Sequence, residues 1–197
     1  RNAPNPFGTK HLPLTKLLKI IKKLGSLPDA DILFIYISDF NASMETMWEI
    51  HLLLKDIQIK NKKKIVVYAD AFSAGTYLLA TAATIIYLNP AGEWGVTGFA
   101  MQTMFLKDFL AWLGISADFL QMGKYKGAAE NLTRSAMSAP LKESLSRLLD
   151  TMFAAMLKVM GDGRSMKPEL VKSLIDTAPL TAEAALKAKL IDGIESY

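Results

Sequence analysis

Two apolar runs rich in β-branched residues, Ile32 to Ile37 and Ile65 to Tyr68, flank a single helical pattern carried by Met44, Met47, Ile50, Leu53, Leu54 and Ile57. Each run is too short for a typical helix, so each reads as a strand, and near-continuous apolarity predicts burial on both faces. Strands joined through a helix are parallel, because a crossover of that length carries the chain back to the end where the first strand began. The pair therefore predicts an α/β domain built on a parallel sheet, with the basic break Lys60 to Lys64 separating helix from second strand.

The rest of the chain extends this frame. Residues 1–12 read as an irregular arm. Leu14, Leu17, Leu18, Ile21 and Leu24 then recur at helical spacing with Lys16, Lys19, Lys22 and Lys23 between them, a basic amphipathic helix ended by Gly25 and Pro28. Such a helix either docks its apolar stripe on its own domain or lies on anionic lipid, and docking is the preferred reading. Further on, Gly75 to Ala83 reads as a helix of small residues, Ile85 to Leu88 as a strand, and Asn89 to Gly92 as a turn. A helix over Met101 to Leu113, a strand over Ala117 to Met122 and a long helix over Ala139 to Met160 follow, the last punctuated by Gly161-Asp162-Gly163. Two short helices close the chain, Pro168 to Ile175 and Thr181 to Lys189, with Thr181 and Glu183 suited to cap the second. The organisation expected is an arm and helix over 1–30 and one domain over 31–197.

Composition removes whole classes of chemistry. With 197 residues, 51% of them apolar, there is enough material for a buried core. The absence of cysteine excludes disulfides and thiolate catalysis, and two histidines, His11 and His51, make a multi-histidine metal centre an unattractive reading. A net charge of +4 falls short of the dense basic patch of a nucleic-acid binder. No window approaches the roughly 20 uncharged apolar residues of a membrane span. The chain as given is expected to be soluble, and because it starts at Arg1, an upstream anchor stays open.

Three constellations carry possible chemistry. At Asp70-Ala71-Phe72-Ser73-Ala74-Gly75-Thr76-Tyr77 a strand meets a helix of small residues, where backbone N–H groups can hold an anion or an oxyanion. Ser73 there is read first as an N-cap and second as a nucleophile. In Gly123-Lys124-Tyr125-Lys126-Gly127 two lysines share one side if extended, and burial with mutual repulsion would lower an ammonium pKa towards that of a general base. Gly92-Glu93-Trp94-Gly95-Val96-Thr97-Gly98 spaces three glycines around a short extended segment open to close approach. A triad of Ser73, His51 and Asp70 or Asp56 is a weaker alternative, since nothing in the spacing brings His51 to the Ser73 turn.

In this order, the Ser73 to Ala83 segment leading into Ile85 to Pro90, the Gly95-Val96-Thr97-Gly98 loop, Gly123-Lys124-Tyr125-Lys126 and the ending Leu180 to Asp192 resemble the signal peptide peptidase A (protease IV) family of the ClpP/crotonase superfamily. The resemblance implies a β-β-α superhelix and a membrane-associated serine–lysine peptidase that degrades cleaved signal peptides, without a cofactor or metal. It makes Lys126 the general base and places Gly75, Gly95, Val96, Thr97 and Gly98 at the substrate. Family domains that carry the nucleophile read Ala-Ser-Gly-Gly-Tyr at the turn. Aligning Gly75 and Tyr77 puts Ala74 in the serine slot and leaves Ser73 one residue early.

The chain therefore resembles the lysine-donating N-terminal domain of the long tandem members, whose C-terminal domain supplies the serine. Expected partners are that domain, further copies in a tetramer, an apolar peptide and a bacterial cytoplasmic membrane reached through a segment outside this chain, on its extracytoplasmic face. Nucleic acid is not an expected partner. Two alternatives remain at this level: a catalytically silent assembly domain, and a crotonase-like acyl-CoA enzyme using Glu93.

Overall fold

The computed structural model describes residues 13–120, 123 and 126–196. The arm expected over residues 1–12 lies outside them. Two compact units emerge, one of residues 1–97 and 157–197 and the other of residues 98–156.

The first unit opens with helix α1, Leu14–Gly25, followed by strand β1, Ile32–Ile37, helix α2, Met44–Asn61, and strand β2, Lys64–Ala69. β1 and β2 pair in parallel with Phe34 opposite Val66 and Tyr36 opposite Tyr68, the strand–helix–strand crossover read from the sequence. Strand β3, Phe72–Ser73, leads into helix α3, Ala74–Ala80, and strand β4, Ile85–Leu88, adds in parallel to the other edge of β2. Strand β5 is Glu93–Gly95.

β1 departs from the expected burial. Ile32, Phe34 and Tyr36 lie on one face and are half exposed, whereas Ile37 is buried. The reason is topological: β1 is an edge strand of its sheet, and the alternation of its side chains turns one set away from α2 and α3. β2 fits the two-sided reading, with Ile65, Val67, Tyr68 and Ala69 all buried.

The core of this unit gathers Met47, Ile50 and Leu54 of α2, Ile65 and Val67 of β2, Tyr77 to Ala80 of α3 and Ile86 and Leu88 of β4. α1 docks on α2 through its apolar stripe. A side chain at Gly25 would place its Cβ 2.5 Å from Ile57, so the helix seats closely only because that residue is glycine.

In the second unit the helix expected over Met101 to Leu113 shrinks to α4, Lys107–Trp112. Residues 117–120 of the expected strand are irregular, and 121–122 lie outside the described residues. Among the described residues of this unit there is no strand for it to pair with, so the β-like composition is not realised. Helix α5, Glu130–Thr133, and helix α6, Ala139–Arg164, follow. α6 runs through Gly161-Asp162-Gly163 instead of stopping there. These glycines serve close approach: a Cβ at Gly163 would lie 2.4 Å from the Thr81 carbonyl oxygen, and one at Gly161 2.6 Å from that of Met166.

The chain returns to the first unit with the last turns of α6, helix α7, Pro168–Ile175, strand β6, Leu180–Thr181, helix α8, Ala182–Lys187, and strand β7, Gly193–Ile194. β7 completes a parallel sheet of order β1-β2-β4-β7, and β3, β5 and β6 form a second, three-stranded sheet. Arg164 locks this end: its guanidinium makes a bidentate pair with Asp192, at 2.8 and 3.0 Å, and donates to the Lys189 carbonyl. Asp192 also accepts from the Ile86 N–H at 2.8 Å. Burial alone would raise the Asp192 carboxyl, but Arg164 and the Ile86 N–H outweigh it and hold the group below its usual value.

Candidate functional site

The strand-to-helix turn is built from small residues on a rigid base. Gly75 brings α3 against α2, where a Cβ would meet Met47 Cγ at 3.1 Å. Ser73 caps the helix in a full capping box: its Oγ accepts from the Thr76 N–H at 3.3 Å, and Thr76 Oγ1 accepts from the Ser73 N–H at 2.8 Å. One turn on, Tyr77 is fully buried, edge-on to Phe72 and Trp94 with ring centroids 5.4 and 5.3 Å away. Its hydroxyl donates to the Leu190 carbonyl at 2.7 Å, and burial pushes the phenol well above its ordinary pKa, so it stays neutral.

The glycine loop meets this turn directly. β3 and β5 pair in parallel, Phe72 opposite Trp94 and Ser73 opposite Gly95. β5 in turn pairs antiparallel with β6, Trp94 opposite Leu180 and Glu93 opposite Thr181. Gly92 is obligatory beneath them, since a Cβ there would stand 2.1 Å from the Asp70 carbonyl oxygen. The structure thus sets Ser73 opposite Gly95, with Gly75 two residues on in the first turn of α3. Val96 has its side chain fully buried, so contact with a ligand would come from its backbone, whereas Thr97 and Gly98 are exposed.

His51 belongs elsewhere. Its Nδ1 donates to the Leu78 carbonyl at 2.9 Å, and burial lowers its pKa, which keeps the ring neutral. Asp70 accepts from the Tyr36 hydroxyl at 2.9 Å, and Asp56 pairs with Lys60 at 2.7 Å. With all three partners committed, the Ser73–His51–Asp alternative is not assembled.

Lys126 lies in the second unit and is exposed. Lys124 and Tyr125 of its motif lie outside the described residues. The Lys126 N–H donates to the Gly123 carbonyl at 3.2 Å, and the next residue, Gly127, packs where a Cβ would be 2.9 Å from Leu141. Glu130 secures the segment. Buried at the start of α5, it accepts from the Ser138 N–H at 2.9 Å and the Ser138 hydroxyl at 2.5 Å. Those two bonds, hydroxyl first, hold its carboxyl below the usual range.

A cavity of about 310 Å³ was not legible in the sequence. It opens at the carboxyl end of β1, lined mainly by apolar atoms of Leu17, Ile21, Ile35, Ile50 and Leu79, with Asp39 at its edge. The signal that points to it is general: in parallel sheets ligands gather outside the carboxyl ends of the strands.

This combination, a parallel sheet feeding a strand-to-helix turn flanked by a second small sheet, defines a domain of the ClpP/crotonase-like class. A solved membrane-bound stomatin-specific protease shares the fold, with a TM-score of 0.52 over 92% of this chain and 70% of that one at 13% identity. The model of peptidase family S49 matches residues 57–197, and the chain belongs to that family. Protease 4 of Haemophilus influenzae is 31% identical over 109 residues, 55% of this chain and 18% of that protein. The chloroplastic serine protease SPPA of Arabidopsis thaliana is 30% identical over 135 residues, 68% of this chain and 20% of that one. The chain spans about a fifth of the length of the curated relatives it matches. Among the described residues no helix is long and apolar enough to cross a membrane.

Proposed function

We propose that this chain is the lysine-donating domain of a serine–lysine peptidase that degrades cleaved signal peptides at a bacterial cytoplasmic membrane. The observation that carries the reading is the capping box. The Ser73 hydroxyl is engaged with Thr76, and Ala74 occupies the slot where nucleophile-bearing family domains place serine. A second domain, C-terminal to this one in the parent protein, supplies the serine.

In the reaction, Lys126 Nζ accepts the proton of that serine as its oxygen attacks the scissile carbonyl. Backbone N–H groups hold the resulting oxyanion. Collapse expels the amine, which takes the proton back from Lys126. Water, deprotonated by the same lysine, then cleaves the acyl-enzyme. Lys126 is exposed in this chain, so the group that covers it in the active site is assigned to the added domain. An extended apolar peptide suits the exposed loop at Thr97 and Gly98 and the apolar cavity at the end of β1.

Assembly into a tetramer is part of this reading. Trp112 is 79% exposed and Met104 74%, and Phe109, Ile115 and Leu120 are exposed with them, apolar surface that further copies would cover. Family membership favours the peptidase over the acyl-CoA alternative, and Glu93 is an exposed end residue of β5. The test is Ser73→Ala in the intact parent protein. Peptidase activity is expected to persist, with the isolated chain inactive. Hydrolysis by the isolated chain that Ser73→Ala abolishes would overturn the proposal and make Ser73 the nucleophile.

A further inference from the structure

We infer that α1 and the adjoining Lys60 to Lys64 turn form a peripheral contact surface for an anionic lipid bilayer. The inference rests on the charge and exposure of this corner and not on the peptidase reading. Lys16, Lys19, Lys22 and Lys23 are all exposed, and among the described residues none of the four carries an ion pair. The segment after α1 is stitched to the turn after α2, where the Lys64 N–H donates to the Asp31 carbonyl at 3.0 Å and the Lys63 ammonium to those of Leu27 and Ala30.

Residues 14–31 and 56–64 together hold eight lysines and three aspartates, Asp29, Asp31 and Asp56. That is a net of +5, against +4 for the entire chain, so the remaining residues sum to −1. Of the three acidic groups Asp56 is already paired, with Lys60. The positive charge of the molecule is therefore localised.

Charge alone would suit any polyanion; the interleaved apolar residues select lipid. Leu14, Leu17, Leu18 and Ile21 are turned inward, while Ile20 is 40% exposed, Leu24 44% and Leu27 42%. At about 100° per residue, Lys19, Lys23, Lys16, Ile20 and Leu24 succeed one another round an arc of about 140°. Aliphatic side chains beside ammonium groups match the acyl–headgroup boundary of an anionic membrane. A nucleic-acid surface would instead favour arginine and stacking aromatics, and this arc has neither.

The experiment is co-sedimentation of the chain with vesicles of phosphatidylcholine alone or mixed with phosphatidylglycerol, at low and high salt, read without any peptidase assay. Binding is expected only to the mixed vesicles and to weaken at least tenfold when salt screens the contact. At about fivefold per lysine, Lys16→Gln with Lys19→Gln and Lys23→Gln should weaken it about a hundredfold. Ile20→Ser with Leu24→Ser should weaken it at unchanged charge. The same three-lysine neutralisation at Lys142, Lys158 and Lys187 should leave it unchanged. No binding to mixed vesicles, binding indifferent to salt, or retention on duplex DNA in place of vesicles would overturn the inference. The salt series needs only the parent chain, so misfolding of a variant does not blunt the test.

Discussion

Removing the Tyr77 hydroxyl tests how the strand-to-helix turn is held. The ring has no exposed surface, stands edge-on to Phe72 and Trp94, and donates to the Leu190 carbonyl at 2.7 Å. Tyr77→Phe keeps both ring contacts and deletes one oxygen. The loss is the hydrogen bond together with the desolvation of a buried carbonyl left without its donor, about 1–3 kcal/mol. For a chain of this length each kcal/mol lowers the unfolding midpoint by roughly 2–4 °C, so a fall of about 4–8 °C is expected near the middle of that range. Tyr77→Leu also forfeits the edge contacts, worth about 0.5–1.5 kcal/mol each, and should fall further. Thermal unfolding followed by circular dichroism reads both variants. Equal midpoints for Tyr77→Phe and the parent would refute the claim that this bond ties α3 to the segment before β7.

His51, held neutral by burial, makes stability pH-dependent. Its folded pKa is depressed, so its contribution is complete above the unfolded value of about 6.5 and is lost as pH falls through the folded value, because the unfolded chain takes up the proton first. His51→Gln, with a donor for Leu78 but no titration, should flatten the fall in unfolding midpoint below about pH 6.5, and a curve parallel to the parent's would contradict this. Asp192, also depressed, follows the same sign in a lower window, below about pH 3.9. Glu130 acts on Lys126 only through the segment it anchors, as a positioning residue. Glu130→Gln in the parent enzyme should lower kcat with little change in KM and leave the acid limb of the pH profile in place, whereas a change confined to thermal stability would show a purely structural role.

The crossover at the heart of the first unit was legible because periodicity reports burial directly: β1, α2, β2 and β4 fall where their patterns predict. The exposure of Ile32, Phe34 and Tyr36 was not, since edge or centre is decided by sheet order and strand composition cannot report it. The two-residue strands β3 and β6 are too short to carry a period, although their pairing sets Ser73 opposite Gly95. Gly161 and Gly163 misled for a related reason. Glycine signals a break when read locally, but here it admits a neighbouring backbone. In the site, the small residues of the turn and its N-cap were readable. The Glu130–Ser138 anchor and the cavity at the end of β1 depend on contacts between distant residues.

Catalysis in the proposed enzyme turns on which lysine of the Gly123 to Gly127 motif takes the proton. Peptidase kcat/KM of the intact parent protein, compared between Lys126→Ala and Lys124→Ala, reads this directly. Lys126→Ala is expected to lose a factor of at least about 10² with the fold intact, as for removal of a general base, and Lys124→Ala to stay close to the parent. Activity that survives Lys126→Ala, or that disappears with Lys124→Ala alone, would contradict it.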